Sequence, residues 1–277
     1  MNGSYESDGA RLSFWDSGAG LPVVFLHPTP LDHDYWRPLT EDLAGVRAIV
    51  PDLRGHGASE LGRDLPVGGF AGVPDAPVLT MAQLAADVVA LLNYLNVEEA
   101  VFAGCSIGGY VLLELWRRVP ERMRGLAFLC SKPQPDAAVN LEKRAANIAQ
   151  VRASGMAEMF DGMAQTLIGA TARQRHPEIV GELRARMTLT AEAAVAVQAG
   201  LATRADSVAT VGTINAPVLA IAGGEDLAVS AAEVEAFNAA PGGCEFHLLP
   251  DAGHFAAYEQ PRKVATLLAE WLRQPEA

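Results

Sequence analysis

Cysteine is scarce in this chain. The 277 residues hold three, Cys105, Cys130 and Cys244, without CxxC spacing. So odd and sparse a set excludes a disulfide framework and a cysteine-ligated zinc site. Cys130 and Cys244 fall at strand-like apolar runs, where a free thiol reads as a small buried hydrophobe. Long apolar runs are also lacking. No stretch of about 18 uninterrupted apolar residues occurs, so no membrane-spanning helix is expected. The polar segment from Met1 to Arg11 has no apolar core like that of a signal peptide. Positive charge is in short supply, with 21 Lys and Arg against 33 Asp and Glu and a formal net charge of −12. An acidic surface repels phosphate backbones and anionic lipid, which argues against nucleic-acid and membrane partners. It also disfavours a highly anionic substrate, unless a local basic patch overrides it. No H-E-x-x-H or clustered ligand spacing points to a metal, and no G-x-G-x-x-G or phosphate loop points to a nucleotide. The expectation is a cytoplasmic protein with no metal and no cofactor; composition does not fix its oligomeric state.

Hydrophobic residues make up 50% of the chain and charged residues 19%, which suits a large buried core built as one α/β unit with an elaboration. Short runs rich in Val, Ile, Leu and Phe occupy residues 21–26, 46–50, 100–103, 126–129, 217–221 and 244–249. They show little polar alternation, as expected of strands covered on both faces in a mostly parallel sheet. Weaker segments at 4–7 and 11–16 fit an antiparallel hairpin at the sheet edge. Thr80 with Gln83, and Ser230 with Glu233, form capping boxes ahead of helices at 81–95 and 231–239, and Pro261 suits the first turn of the last helix. Residues 61–79, rich in Gly and Pro, read as an ordered surface loop edging a site. Residues 133–207 carry helical patterns at 138–152, 155–168, 172–187 and 191–203 with no strand between them. The division expected is a core of 1–132 and 208–277 with a helical cap of 133–207 inserted between two core strands.

The strongest chemical signal is Gly104-Cys105-Ser106-Ile107-Gly108-Gly109, directly after a strand pattern and before a helical one. A serine on so sharp a turn is thrust out of the sheet, and small residues two before and two after it relieve the crowding. Its hydroxyl needs a base. His254, in Asp251-Ala252-Gly253-His254, lies just past the last strand pattern, at the same sheet edge as Ser106. The base needs an orienting acid, and Asp226 follows the strand pattern at 217–221. Glu225 and Asp251 are rivals; Glu225 points elsewhere if Asp226 points in, and Asp251 is too close along the chain to reach back to His254. The order Ser106, Asp226, His254 is the one expected for a nucleophile elbow of this kind. A tetrahedral oxyanion needs two fixed donors. The amide of Ile107 is one, and Thr29, the only N–H between Pro28 and Pro30, is the other. A structural role is assigned to the charged turn Asp52-Leu53-Arg54-Gly55-His56-Gly57, and His33 reads as a surface-turn histidine. Met156, Met159, Phe160, Met163 and Leu167 fall on one helical face, which favours packing over a substrate wall.

At these residues the chain resembles the α/β-hydrolase superfamily over nearly its whole length. Within it, the chain is most similar to small bacterial carboxylesterases, lactonases and cofactor-free haloperoxidases. The resemblance implies an eight-stranded, mostly parallel sheet flanked by helices, a helical cap and acyl-enzyme chemistry. Ser106 in place of aspartate disfavours dehalogenase and epoxide hydrolase readings, and Ile107 in place of tryptophan disfavours proline iminopeptidases. Pro28 replaces the usual glycine of the oxyanion loop and raises a cis His27–Pro28 bond as an option. The function expected is cleavage of a carboxylic ester. Lactone, thioester or C–C hydrolysis, acyl transfer and perhydrolysis are alternatives on the same triad, and ligand binding on a hydrolase scaffold is the non-enzymatic rival.

Overall fold

The computed structural model describes residues 1–274. Ten strands alternate with helices along the chain: β1 (Asn2–Ser7), β2 (Ala10–Gly18), β3 (Leu21–Leu26), β4 (Val46–Pro51), β5 (Val67–Phe70), β6 (Val73–Pro77), β7 (Ala100–Cys105), β8 (Met123–Leu129), β9 (Val218–Gly223) and β10 (Cys244–Leu249). Eight of them form one sheet in the order β1-β2-β4-β3-β7-β8-β9-β10. From β4 to β10 neighbours run parallel, and β1 and β2 form the antiparallel edge hairpin. The helices are α1 (Arg37–Thr40), α2 (Met81–Tyr94), α3 (Ile107–Arg118), α4 (Ala138–Ser154), α5 (Ala157–Thr166), α6 (Ala170–Arg175), α7 (Glu178–Ala185), α8 (Ala191–Ala202), α9 (Val208–Val211), α10 (Ala231–Val234), α11 (Ala256–Glu259) and α12 (Pro261–Leu272). None among the described residues is long and apolar enough to cross a membrane.

The unbroken apolar runs have a direct cause. Successive side chains of a strand face opposite sides, and here both sides are covered. Val24, Phe102, Leu126 and Phe128 pack with Leu84 and Val88 of α2 and Leu112 of α3. Their neighbours Val23, Val101, Ala127 and Leu129 pack with Leu39 of α1 and Leu268 and Trp271 of α12. Ser230 and Glu233 form the capping box expected ahead of α10, and Thr80 accepts from the amide of Gln83 ahead of α2.

Three local expectations need correction. The 172–187 pattern is two helices, α6 and α7, because Pro177 has no N–H to continue a helix and pushes His176 out of helical geometry (φ −134°, ψ 67°). The 61–79 segment is not all loop: β5 and β6 form a hairpin closed at the Phe70–Val73 pair, with Gly72 at φ +93° in the turn. Glycines and prolines within both strands hide the usual alternation. Val73, Ala76 and Val78 pack against Ile148 of α4 and Ala194 and Ala199 of α8, so the hairpin braces the cap helices. The cis bond of the loop after β3 is Thr29–Pro30, not His27–Pro28.

The charged turn after β4 is held by buried ion pairs. Arg54 grips Asp87 of α2 through two bonds of 2.6 and 2.8 Å and donates to the Ser7 carbonyl at 2.8 Å. Ser7 and Gln83 also donate to Asp87. This knot joins the edge hairpin, the β4 turn and α2 in the interior. Asp87→Ala is expected to destabilise the fold by about 3–5 kcal/mol, because it strands a buried guanidinium. Urea unfolding with an unchanged slope measures that loss; a change below about 1 kcal/mol would show that water reaches Arg54 freely.

Candidate active site

Ser106 sits between β7 and α3 at φ 53°, ψ −116°, a conformation that L-residues avoid. Close packing enforces it. A Cβ on Gly108 would lie 2.2 Å from the Leu26 carbonyl oxygen, and one on Gly104 would lie 2.5 Å from the Gly108 backbone. Ser131 ties the elbow from below, its hydroxyl donating to the Ser106 carbonyl at 3.0 Å. Ile107 is the first residue of α3, so its amide lies ahead of the helical hydrogen-bond ladder.

His254 follows β10, and Asp226 follows β9. Their side chains meet at 2.8 Å, Asp226 Oδ2 to His254 Nδ1, with the carboxylate wholly shielded from solvent. The other oxygen, Oδ1, accepts the amides of Ala228 (2.7 Å) and Val229 (3.0 Å). Asp226 is therefore fixed by its own loop before it fixes the imidazole. Ser106, His254 and Thr29 border one cavity of about 510 Å³. No hydrogen bond joins the Ser106 hydroxyl to His254.

The rival acids have other partners. Glu225 turns to the cap and accepts the Thr171 amide (2.8 Å) and hydroxyl (2.6 Å), bonds that hold its carboxyl below the usual range. Asp251 pairs with Arg175 at the surface.

The loop after β3 rests on two buried histidines. His27 Nδ1 donates to the Pro28 carbonyl (3.0 Å) while Nε2 accepts the Leu53 amide (2.9 Å). His56 Nδ1 donates to the Arg54 carbonyl, and Nε2 accepts the Thr29 hydroxyl at 3.0 Å. Burial, reinforced for His27 by its neighbour His56, pushes their pKa values down to about 3 and about 4. Both rings stay neutral, and each tautomer follows from its bonds. His33 is half-buried and bonds to Asp52 through Nδ1 at 2.8 Å, so it belongs to the staple of the β4 turn. Of the methionine stripe, Met163 and Leu167 reach the cavity, whereas Met159 and Phe160 are buried in packing. Cys105 and Cys130 lie beneath the loop after β10, their thiols directed at the carbonyls of His254 and Gly253. Burial raises both thiol pKa values, which leaves them protonated and inert.

Glu259 went unnoticed in the sequence. Its carboxylate accepts the amides of Gly253 (2.8 Å), Phe255 (3.1 Å) and Gly169 (3.0 Å), bracketing His254 and tying the loop after β10 to the start of α6. Burial pushes its carboxyl up despite these bonds. Its only sequence signal is a carboxylate one turn after the histidine, since its partners are backbone groups. Glu259→Gln is expected to lower kcat about 10²-fold through a displaced imidazole, with KM near wild type. A loss in KM alone would remove Glu259 from this role.

Comparison with known proteins follows the same outline. A family model described as alpha/beta hydrolase fold matches residues 22–261. The structure of a thermophilic esterase from Thermogutta terrifontis is 30% identical, with all of both chains covered and a TM-score of 0.88. Est816, an N-acyl homoserine lactone degrading enzyme, is 27% identical, with 97% of this chain and 99% of that one covered and a TM-score of 0.78. A putative non-heme bromoperoxidase of Mycobacterium tuberculosis is 25% identical over 96% of this chain and 99% of its own.

Proposed function

The chain belongs to the α/β-hydrolase family, and on that premise we propose a serine hydrolase that cleaves small carboxylic esters, with Ser106 as nucleophile, His254 as base and Asp226 as its orienting acid. The observation that carries the reading is the 2.8 Å Asp226–His254 bond at the rim of the cavity that also holds the strained Ser106. Asp226 holds the proton on Nδ1, so Nε2 is the lone-pair face. As the Ser106 hydroxyl attacks the ester carbonyl, Nε2 takes its proton. The carbonyl oxygen becomes an oxyanion between the amides of Thr29 and Ile107. His254 then returns the proton to the leaving alkoxide, and the acyl group stays on Ser106. Water, deprotonated by the same nitrogen, attacks the acyl-enzyme and releases the acid. Residues 133–207 are the cap that encloses the acyl and alkoxy groups. The same steps open a lactone, and the resemblance to an N-acyl homoserine lactone degrading enzyme supports lactones as a second substrate form.

A fluorophosphonate tests the reading without knowledge of the natural substrate. One equivalent should add to the intact mass, and the adduct should map to the peptide containing Ser106. An adduct on another residue, or none, would reject the proposed nucleophile.

A further inference from the structure

The wall that α4 contributes to the cavity is cationic, although the whole chain carries a net charge of −12. Asn140, Lys143, Arg144 and Asn147 all border the cavity. Their spacing of three, four and seven residues puts them on one face of the helix. Lys132, just past β8, borders the same space. The carboxylates nearby are too few for these cations. Asp136, the only acid lining the cavity among the described residues, serves two guanidiniums, bonding Arg144 Nε and Arg204 Nη1. Glu233 serves Lys132 at 2.5 Å. Burial pushes Asp136 up, but its bonds to Arg144 and the charges of both arginines overcome that and keep it ionised. Lys132, Lys143, Arg144 and the neighbouring Arg204 thus stand against Asp136, Glu233 and, behind His254, Asp226, and one positive charge remains.

The surplus is specific to residues that the fold does not consume. Lys143 forms no ion pair among the described residues and lies at the open side of the cavity. Arg144 spends Nε on Asp136 and Nη1 on Gln198, at 3.0 Å for the latter. Its Nη2 has no protein acceptor among the described residues. A guanidinium pinned at Nε and Nη1 with Nη2 unspent, an ammonium one residue before it and flanking amide side chains form a donor set for a carboxylate.

We infer that the ester or lactone cleaved here carries a carboxylate of its own, bound by Lys143 and Arg144 while Ser106 attacks the scissile carbonyl; this rests on the serine-hydrolase reading above. Matched substrates test it. The mono-4-nitrophenyl ester of glutaric acid and its methyl-capped neutral form place the charge, or its absence, on the acyl side. Carboxymethyl butanoate and carbamoylmethyl butanoate do so on the alkoxy side. In wild type, kcat/KM should favour the anionic member of at least one pair by about tenfold or more, and 0.5 M NaCl should shrink that ratio by screening. Lys143→Glu should cut the ratio by a further order of magnitude, and Lys143→Gln by about threefold, figures on the scale of one surface-to-pocket charge contact. Protection of Ser106 from fluorophosphonate by glutarate, lost in Lys143→Glu, reads the same contact without turnover. Labelling at Ser106 and turnover of neutral esters, with no anionic preference in either pair and no protection, would overturn this inference alone. No labelling and no turnover of any ester would overturn the hydrolase reading on which it stands.

Discussion

Ser106→Ala is expected to lower kcat/KM on a 4-nitrophenyl ester by about 10⁴- to 10⁶-fold, the range that follows from removing the proposed nucleophile. No neighbour can substitute. The Thr29 hydroxyl is committed to His56, and that of Ser131 to the Ser106 carbonyl. The thiols of Cys105 and Cys130 are buried and protonated. A residual rate of roughly 10³-fold over water is expected from oxyanion stabilisation and binding alone. The Ser106 hydroxyl makes no hydrogen bond among the described residues, so the variant should unfold near the wild-type temperature. Steady-state kinetics on active-site-titrated enzyme measures the loss, and retention of a tenth of the wild-type rate would end the proposed mechanism.

Asp226→Asn should lower kcat by about 10⁴-fold without loss of the fold, and the structure gives the reason. Oδ1 of Asp226 accepts two loop amides, from Ala228 and Val229. Those donors select the amide oxygen of an asparagine for that position. The NH₂ group then faces His254 Nδ1 and donates to it. The ring proton moves to Nε2, and the face toward Ser106 becomes a donor where the mechanism needs an acceptor. Proton NMR should show a downfield Nδ1–H resonance in wild type and none in the variant. Asp226→Asn with activity within tenfold of wild type would mean that Asp226 does not set the tautomer.

The parts of this arrangement that were legible in the sequence share a property: their partners are close along the chain, or their periodicity is strong. The strand cores, the capping box at Ser230 and the glycines around Ser106 satisfy constraints written within a few residues. Features that escaped depend on distant groups. Glu259 bonds backbone amides, which leave no imprint in the identity of their residues. The α4 face carries Lys143 and Arg144 at ordinary helical spacing, and only the placement of α4 over the cavity distinguishes it from a solvated surface. The β5–β6 hairpin was obscured because Gly and Pro, the usual marks of a loop, occupy its strands. Glu225 and Asp226, adjacent in sequence, diverge to the cap and to His254, a choice made by the loop after β9.

Strands β8 and β9 lie side by side in the sheet, paired from Leu126 with Val218 to Leu129 with Ile221. The chain therefore departs for its helical excursion and comes home one strand spacing away, about 4.8 Å. A detour with so narrow a doorway can lengthen, shorten or be exchanged wholesale in a lineage while every rung of the sheet ladder keeps its register. Within the excursion, α6 is the stretch with least freedom to change, because Glu225 and Glu259 bind the loops after β9 and β10 to its first residues.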